Sequence, residues 1–167
     1  MTAVSLSWRS AFNAESTDEE PVVLVVFTVP GGDTHYLSSH PTQRLSIDPL
    51  RYGTMHDGQE YGFVLMSMAW PDDQEGKAPS TSLVFENVVE DMAAAARAIT
   101  PGQQADVTMM LVLTSDTEFV EERYEMKATG ATYNAQQVTL TVSREPIETE
   151  PWPAQCMTKN NMPGLYR

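Results

Sequence analysis

The sequence predicts a mainly β (α+β) fold: a β-barrel or sandwich of about seven to nine strands, with one central helix over about residues 88–99 and a short N-terminal helix. Three observations predict it. Residues 21–29 are apolar at almost every position, which is typical of a strand buried on both faces. Residues 123–129 and 137–143 alternate between apolar and polar side chains, as strands with one buried face do. Residues 80–113 have the pattern of a strand, a helix and a strand, around which we expect the rest of the chain to pack.

The N-terminal half is predicted to contain the short helix and several strands. The helix is predicted over residues 5–14, with Leu6, Trp8 and Phe12 as its apolar residues and Val4 just before it. Strands are predicted over residues 21–29, 34–38, 43–47 and 60–70. Apart from residues 43–47, the segment 39–59 is predicted to be turns because Pro49, Gly53 and Asp57-Gly58 lie in it, and 71–79 is predicted to be an exposed loop.

The central helix is predicted from its apolar spacing and from its start and stop residues. Val88, Met92, Ala95 and Ile99 fall on one stripe of a 3.6-residue period. Asn87 is placed as the N-cap, and a Pro-Gly pair ends the helix after residue 100.

Composition limits the class of protein. With 167 residues, 41% of them hydrophobic, the chain has material for one domain with a core, which we assign to residues 1–149. A formal charge of −13 argues against sequence-specific nucleic-acid binding, which needs clustered Lys and Arg. No secretory leader is apparent, and the longest apolar run, residues 22–29, is too short to cross a bilayer. We therefore expect that the protein is made in the cytoplasm and does not insert into a membrane.

Residues 150–167 are predicted to form an extended, proline-rich C-terminal arm. Its prolines and glycine prevent regular structure, yet it carries apolar side chains that need burial. We assign it as an interaction segment through Trp152, Pro153, Met157, Met162, Pro163, Leu165 and Tyr166, with Trp8 and Phe12 of the N-terminal helix as a second candidate. Two interpretations stay open: the arm packs on its own domain, or it docks on a neighbouring subunit.

The search for chemical motifs predicts no catalytic residues, no metal ligands and no cofactor. His35, His40 and His56 lie near turns without the spacing of a zinc motif. Cys156 is the single cysteine and has no histidine beside it in sequence. The acidic cluster 72–76 lacks the ligand spacing of an EF-hand and is interpreted as a solvated turn. We therefore predict a protein that is not an enzyme.

Three segments resemble a family of small minor tail or tail-tip hub proteins of long-tailed, siphovirus-type bacteriophages, long catalogued as a domain of unknown function. The segments are residues 10–29, residues 69–99 followed by 107–121, and residues 150–166. Within them, the family's motifs are matched by LVFENV at residues 83–88 after a proline-bearing acidic loop, LVLTSD at 111–116 and MPGLY at 162–166. Met162 stands where the family has phenylalanine, and Thr114 where it has alanine. The resemblance covers most of the chain and is weakest over residues 36–62.

The resemblance implies a structural virion component of the phage tail tip, similar in role to the minor tail protein L of lambda-like phages. Such a protein links the distal tail tube ring to the central hub. The expected partners are further copies of the chain (a trimer first, a hexamer second), the distal tail protein, the central hub or tail fibre protein and the tape-measure protein. With one cysteine, no iron–sulfur cluster is expected. Two alternatives stay open: a tail-assembly adaptor or chaperone absent from the particle, and a cell-wall hydrolase.

Overall fold

A computed structural model of the chain describes residues 5–29, 31–71, 79–86, 104–134, 137–144 and Gly164. Its elements are α1 (Leu6–Asn13), β1 (Pro21–Thr28), β2 (Thr34–Ser38), β3 (Gln43–Ile47), β4 (Leu50–His56), β5 (Gln59–Phe63), β6 (Met66–Met68), β7 (Ser80–Glu86), β8 (Ala105–Leu113), β9 (Glu122–Tyr133) and β10 (Gln137–Ser143). The predicted helix over 88–99 lies outside these residues, as does the C-terminal arm apart from Gly164.

The ten strands form one sheet in the order β3-β4-β5-β2-β1-β8-β9-β10-β7-β6. Only β2 and β5 pair in parallel; the other neighbours are antiparallel. The predicted mainly β fold with a short N-terminal helix is confirmed. The described residues form ten strands where the sequence predicted about seven to nine, and their single sheet does not close. The sheet is not a closed barrel, because its two edge strands, β3 and β6, do not pair with each other.

The sheet coils back on itself, because strands far apart in its order are adjacent in the chain. β5 is third in the order and β6 is tenth, yet only Val64 and Leu65 separate them. Three Cα–Cα steps span at most about 11 Å. The Val64 N–H donates to the Ser38 carbonyl in β2 at 2.9 Å, and the Glu86 N–H of β7 donates to the Leu65 carbonyl at 2.8 Å. Residues 64–65 therefore bridge the two ends of an eight-strand coil.

This crossing corrects the predicted strand over residues 60–70. The structure divides that segment into β5 and β6, which pair with different parts of the sheet. The sequence is apolar through the break, so local periodicity had nothing to mark it.

A second correction concerns residues 39–59, which were predicted to be turns apart from β3. The structure places the seven-residue strand β4 there. Its sequence, LRYGTMH, is neither continuously apolar nor alternating in polarity. Gly53 and Thr54 are nevertheless its two buried residues, so this strand is buried through a missing side chain and a hydroxyl instead of through aliphatic groups.

The core has two parts on opposite faces of β1 and β8, as expected for a strand predicted to be buried on both faces. Val25, Phe27 and Met109 belong to the inner cluster, inside the coil. Val22, Leu24 and Val112 belong to a smaller outer cluster, completed by Tyr61 of β5. The inner cluster contains Val25, Phe27, Val29, Leu37, Leu83, Phe85, Ala105, Val107, Met109, Met126, Ala128, Val138, Leu140 and Val142.

Candidate interaction surface

The β3–β4 hairpin exposes apolar side chains at its tip. Ile47 and Leu50 pair across the two-residue turn and are 73% and 60% exposed. Tyr52 of β4 and Phe63 of β5 are also exposed. Together these make up four of the nine large apolar side chains exposed among the described residues. Because turn tips are usually polar, such a cluster is a candidate surface for contact with another molecule.

A groove of about 550 Å³ runs along the hairpin and continues this apolar surface. Leu50, Tyr52 and Phe63 contribute to its wall, together with the half-buried Leu45. The groove is also lined by Thr34, His35, Tyr36, Leu37, Arg51, Gln59, Glu60, Gly62 and Val64. We call Ile47, Leu50, Tyr52 and the adjoining Arg44 and Arg51 the hairpin surface.

Buried hydroxyl groups fix the base of the hairpin. The Thr54 hydroxyl lies 2.8 Å from the Ser38 hydroxyl and 2.8 Å from that of Thr42. Ser38 and Thr54 both donate to the His40 carbonyl, at 2.9 and 3.1 Å. Since Ser38 and Thr54 are completely buried, each hydroxyl needs such partners to offset its lost hydration. Hydrogen bonds thus fix the base of the hairpin, while its tip is exposed to solvent.

The far end of β4 is fixed to the loop between β8 and β9. Asp57 and Gly58 have φ of 50° and 72°, the left-handed backbone of a tight two-residue hairpin turn. His56 Nδ1 lies 2.6 Å from the Thr117 carbonyl, to which it donates, and the Asp57 N–H donates to Glu118 Oε2 at 2.8 Å. The loop therefore lies at the opposite end of β4 from the hairpin surface.

Acidic side chains collect around this same loop. Residues 15–20 and 114–122 contain eight Asp and Glu and no Lys or Arg. The two segments are joined, because Glu19 Oε2 accepts from the Ser115 N–H and from the Thr114 hydroxyl, both at 3.2 Å. Phe119 projects from the middle of the loop and is 52% exposed. We call residues 114–122 the acidic loop.

The N-terminal helix occupies the position expected for it, and Trp8 and Phe12 form one aromatic pair. Ser5 caps α1 by accepting from the Trp8 N–H, and its own N–H donates to Glu121 at 3.2 Å. Trp8 is half-buried and stacks on the exposed Phe12, with ring centroids 4.6 Å apart. The other predicted interaction residues, from Trp152 to Tyr166, lie outside the described residues.

The three histidines hold the chain in place locally. His40 Nε2 lies 3.0 Å from Glu20 Oε2, and His35 packs its ring near Phe27 in the hairpin of β1 and β2. His56 holds the acidic loop as described above. Within the described ranges, no group of three or more His, Cys, Asp or Glu side chains could hold a metal ion. Cys156 lies outside these ranges.

Sequence reasoning missed the hairpin surface because it treated residues 48–59 as turns. One signal could have found it: Ile47 and Leu50 are apolar residues on either side of a two-residue turn. The acidic loop could not be located relative to the hairpin, since the contacts of His56 and Asp57 with it join residues 61 positions apart.

Tyr61 gives the outer cluster a measurable dependence on pH. Burial raises the pKa of its phenol above the ordinary 10.0; the neighbouring Tyr36 and Asp57 add to the effect and Arg123 opposes it. A raised folded-state pKa leaves stability intact below the unfolded value and lowers it as pH rises beyond that value. We expect the denaturation midpoint to fall above about pH 10, and Tyr61→Phe to lessen that fall.

The control for this prediction is Tyr52→Phe, which removes an exposed phenol from the hairpin surface. Urea midpoints of the three proteins are compared at neutral and alkaline pH. If the urea midpoint of Tyr61→Phe fell as steeply at alkaline pH as that of the unsubstituted chain, burial of the Tyr61 phenol would not be the cause of the alkaline destabilisation.

The fold and the surface together define a β domain of one coiled sheet with a projecting apolar hairpin. Its sequence matches a family model over residues 7–157, most of the chain. The chain belongs to this family, the domain of unknown function DUF1833. No curated protein matches it. Among the described residues there is no helix with the length and apolar character needed to span a membrane.

Proposed function

We propose that the protein is a structural component of a phage tail tip, a hub or minor tail protein that links the distal tail tube ring to the central hub. Its location would then be the virion, after synthesis in the bacterial host cytoplasm. The observation that carries the proposal is the hairpin surface, an apolar tip on a strand pair whose base is fixed by Ser38, Thr42 and Thr54. The segments at residues 83–88 and 111–116, which resemble tail-tip proteins, support it from the sequence.

A rigid, exposed apolar element is what a structural subunit needs. Apolar side chains held out on a fixed support lose little conformational entropy when a neighbour covers them. The excess of acidic side chains adds a second property: with a net charge of −13, much of the surface would repel the phosphates of passing DNA. The proposed neighbours are further copies of the chain, the distal tail protein, the central hub or tail fibre protein and the tape-measure protein.

Mass spectrometry of purified virions tests the proposal. We expect peptides of this chain in particles of the phage that encodes it. Scaled to a tube protein of known copy number, their amount should correspond to about three or six copies per particle, as expected for one closed ring. Particles that contain the tube and tape-measure proteins but no peptide of this chain would contradict it. That outcome, with the chain abundant in the infected lysate, would favour the assembly adaptor or chaperone.

The hydrolase alternative has its own test. Purified protein is incubated with peptidoglycan, with and without divalent metal ions, beside a known cell-wall hydrolase as the positive control. We expect no release of soluble fragments. Release that follows the purified chain through successive chromatography steps would replace the structural proposal.

A further inference from the structure

We propose that the hairpin surface binds the acidic loop of a second copy of the chain, head to tail, with Ile47 and Leu50 of one copy packed against Phe119 of the next. The inference deepens the proposed function and rests on it, since it names the contact through which copies would join. It goes beyond the segments predicted from sequence, which were the C-terminal arm and the N-terminal helix.

The charge of the hairpin surface is opposite to that of the protein as a whole. Residues 42–56 carry Arg44 and Arg51 against the single acid Asp48, within a chain of 23 acidic and 10 basic residues. Both arginines are exposed, and neither forms an ion pair with another described residue. An apolar surface flanked by two exposed arginines fits a partner that offers apolar and acidic groups together.

The acidic loop offers both groups. Phe119 is exposed at the centre of the loop, and the exposed Asp116 and Glu118 precede it in the chain. Asp116 Oδ1 accepts from the N–H groups of Glu118 and Phe119, at 3.3 and 3.2 Å, so the loop has a fixed shape. A preformed aromatic side chain surrounded by carboxylates complements the arginine-flanked hairpin in both polarity and charge.

One molecule cannot make this contact with itself. Ile47 and Leu50 lie at the start of β4, and the acidic loop is bonded to His56 and Asp57 at its end. Seven extended residues separate the two by roughly 20 Å. The two surfaces therefore belong to different ends of the molecule, so their contact joins unlike patches of two copies. In the head-to-tail arrangement that we propose, it leaves one hairpin and one loop free unless a ring closes.

A symmetric contact between two hairpins is the competing arrangement for a second copy. It would bury the same apolar tips but bring Arg44 and Arg51 of both copies together, with Asp48 as the single acid that each hairpin contributes. Like charges brought together at an interface oppose association, whereas the head-to-tail contact pairs opposite charges. Charge thus selects the head-to-tail contact.

Mixing two variants of the full chain tests the inference. The hairpin variant is I47S with L50S, and the loop variant is F119S. The matched control is L65S, which replaces an apolar residue that is 54% exposed and lies in the β5–β6 crossing. Sedimentation velocity over a concentration series gives the association constant, and urea unfolding checks that each variant is folded.

We expect the unsubstituted chain and L65S to self-associate alike, less strongly at high salt, and each test variant to associate at least about tenfold more weakly. An equimolar mixture of the two test variants should form a one-to-one dimer and stop there, because only one intact hairpin and one intact loop remain between them. A symmetric hairpin contact would give no such dimer.

The inference is overturned if the mixture contains no dimer, if the variants associate as the unsubstituted chain does, or if the unsubstituted chain is monomeric throughout. These outcomes are distinguishable from failure of the proposed function, which is decided by the presence of the chain in virions. A monomeric chain found in particles would remove the head-to-tail contact and leave the structural role.

Discussion

Replacing Gly53 with alanine is expected to destabilise the protein by about 3 kcal/mol or more, or to prevent folding altogether, because overpacking that cannot relax exceeds the usual range. A Cβ atom on Gly53 would lie 1.9 Å from the Tyr61 carbonyl oxygen and 2.7 Å from Leu45 Cδ1. Leu45 could rotate away. The Tyr61 carbonyl cannot, since it belongs to the β4–β5 ladder that supports the hairpin.

The control is Gly62→Ala, directly across the ladder from Gly53. A Cβ on Gly62 would find its nearest neighbours at 3.8 Å, which is ordinary van der Waals contact. We expect the free energy of unfolding to change by no more than about 1 kcal/mol in either direction, because alanine also restricts the unfolded chain. Urea unfolding measures both. Equal midpoints for the two variants would show that β4 and β5 do not approach as closely as described.

The same glycine explains why part of the fold escaped prediction from sequence. Prediction succeeded where burial relies on aliphatic side chains. β1 was predicted from its nearly continuous apolar run, and β8 as the last strand of the strand, helix and strand pattern over residues 80–113. In β4 the buried positions are Gly53 and Thr54, residues that are typical of turns and surfaces. Their burial depends on partners in other strands: the close approach of Tyr61 and the hydroxyl of Ser38.

Sheet order was beyond local sequence for a related reason. The alternation in residues 123–129 and 137–143 predicted β9 and β10 correctly, including the face that each buries. Nothing local distinguishes one open coil of ten strands from a sandwich, because both bury alternate side chains in the same way. The distinction comes from the parallel pairing of β2 with β5 and from the crossing at residues 64–65.

For the candidate surface, sequence and structure contribute different parts. Composition indicates an acidic protein, and the apolar pair Ile47 and Leu50 is visible in the printed sequence. The distance between the hairpin surface and the acidic loop cannot be predicted from the sequence, because it is fixed by the contacts of His56 and Asp57 with the loop. The head-to-tail inference follows from that separation, so it needed the fold.

Replacing Phe85 with alanine is expected to cost about 3–5 kcal/mol, the range for removing a fully buried aromatic side chain. Among the described residues, Phe85 is the largest side chain that is completely buried, and it lies opposite Val138 of β10 and Met66 of β6. Among the strands that the structure describes, β7 is the one that pairs with the three-residue edge strand β6 and supports it. The cavity left by Phe85 would weaken the inner cluster and the end of the coil together.

The destabilisation by Phe85→Ala should be greatest in one part of the sheet, which amide hydrogen exchange can locate alongside urea unfolding. In Phe85→Ala, we expect amides of β6 and β7 to lose more protection than those of β1, because local opening begins where the fewest contacts hold a strand. Ser82→Ala in the same strand is the control: Ser82 is exposed, and its loss should change stability by less than about 0.5 kcal/mol. A uniform loss of protection across β1, β6 and β7 would mean that the coil opens only as a whole, and a cost no larger than that of Ser82→Ala would place Phe85 outside the core.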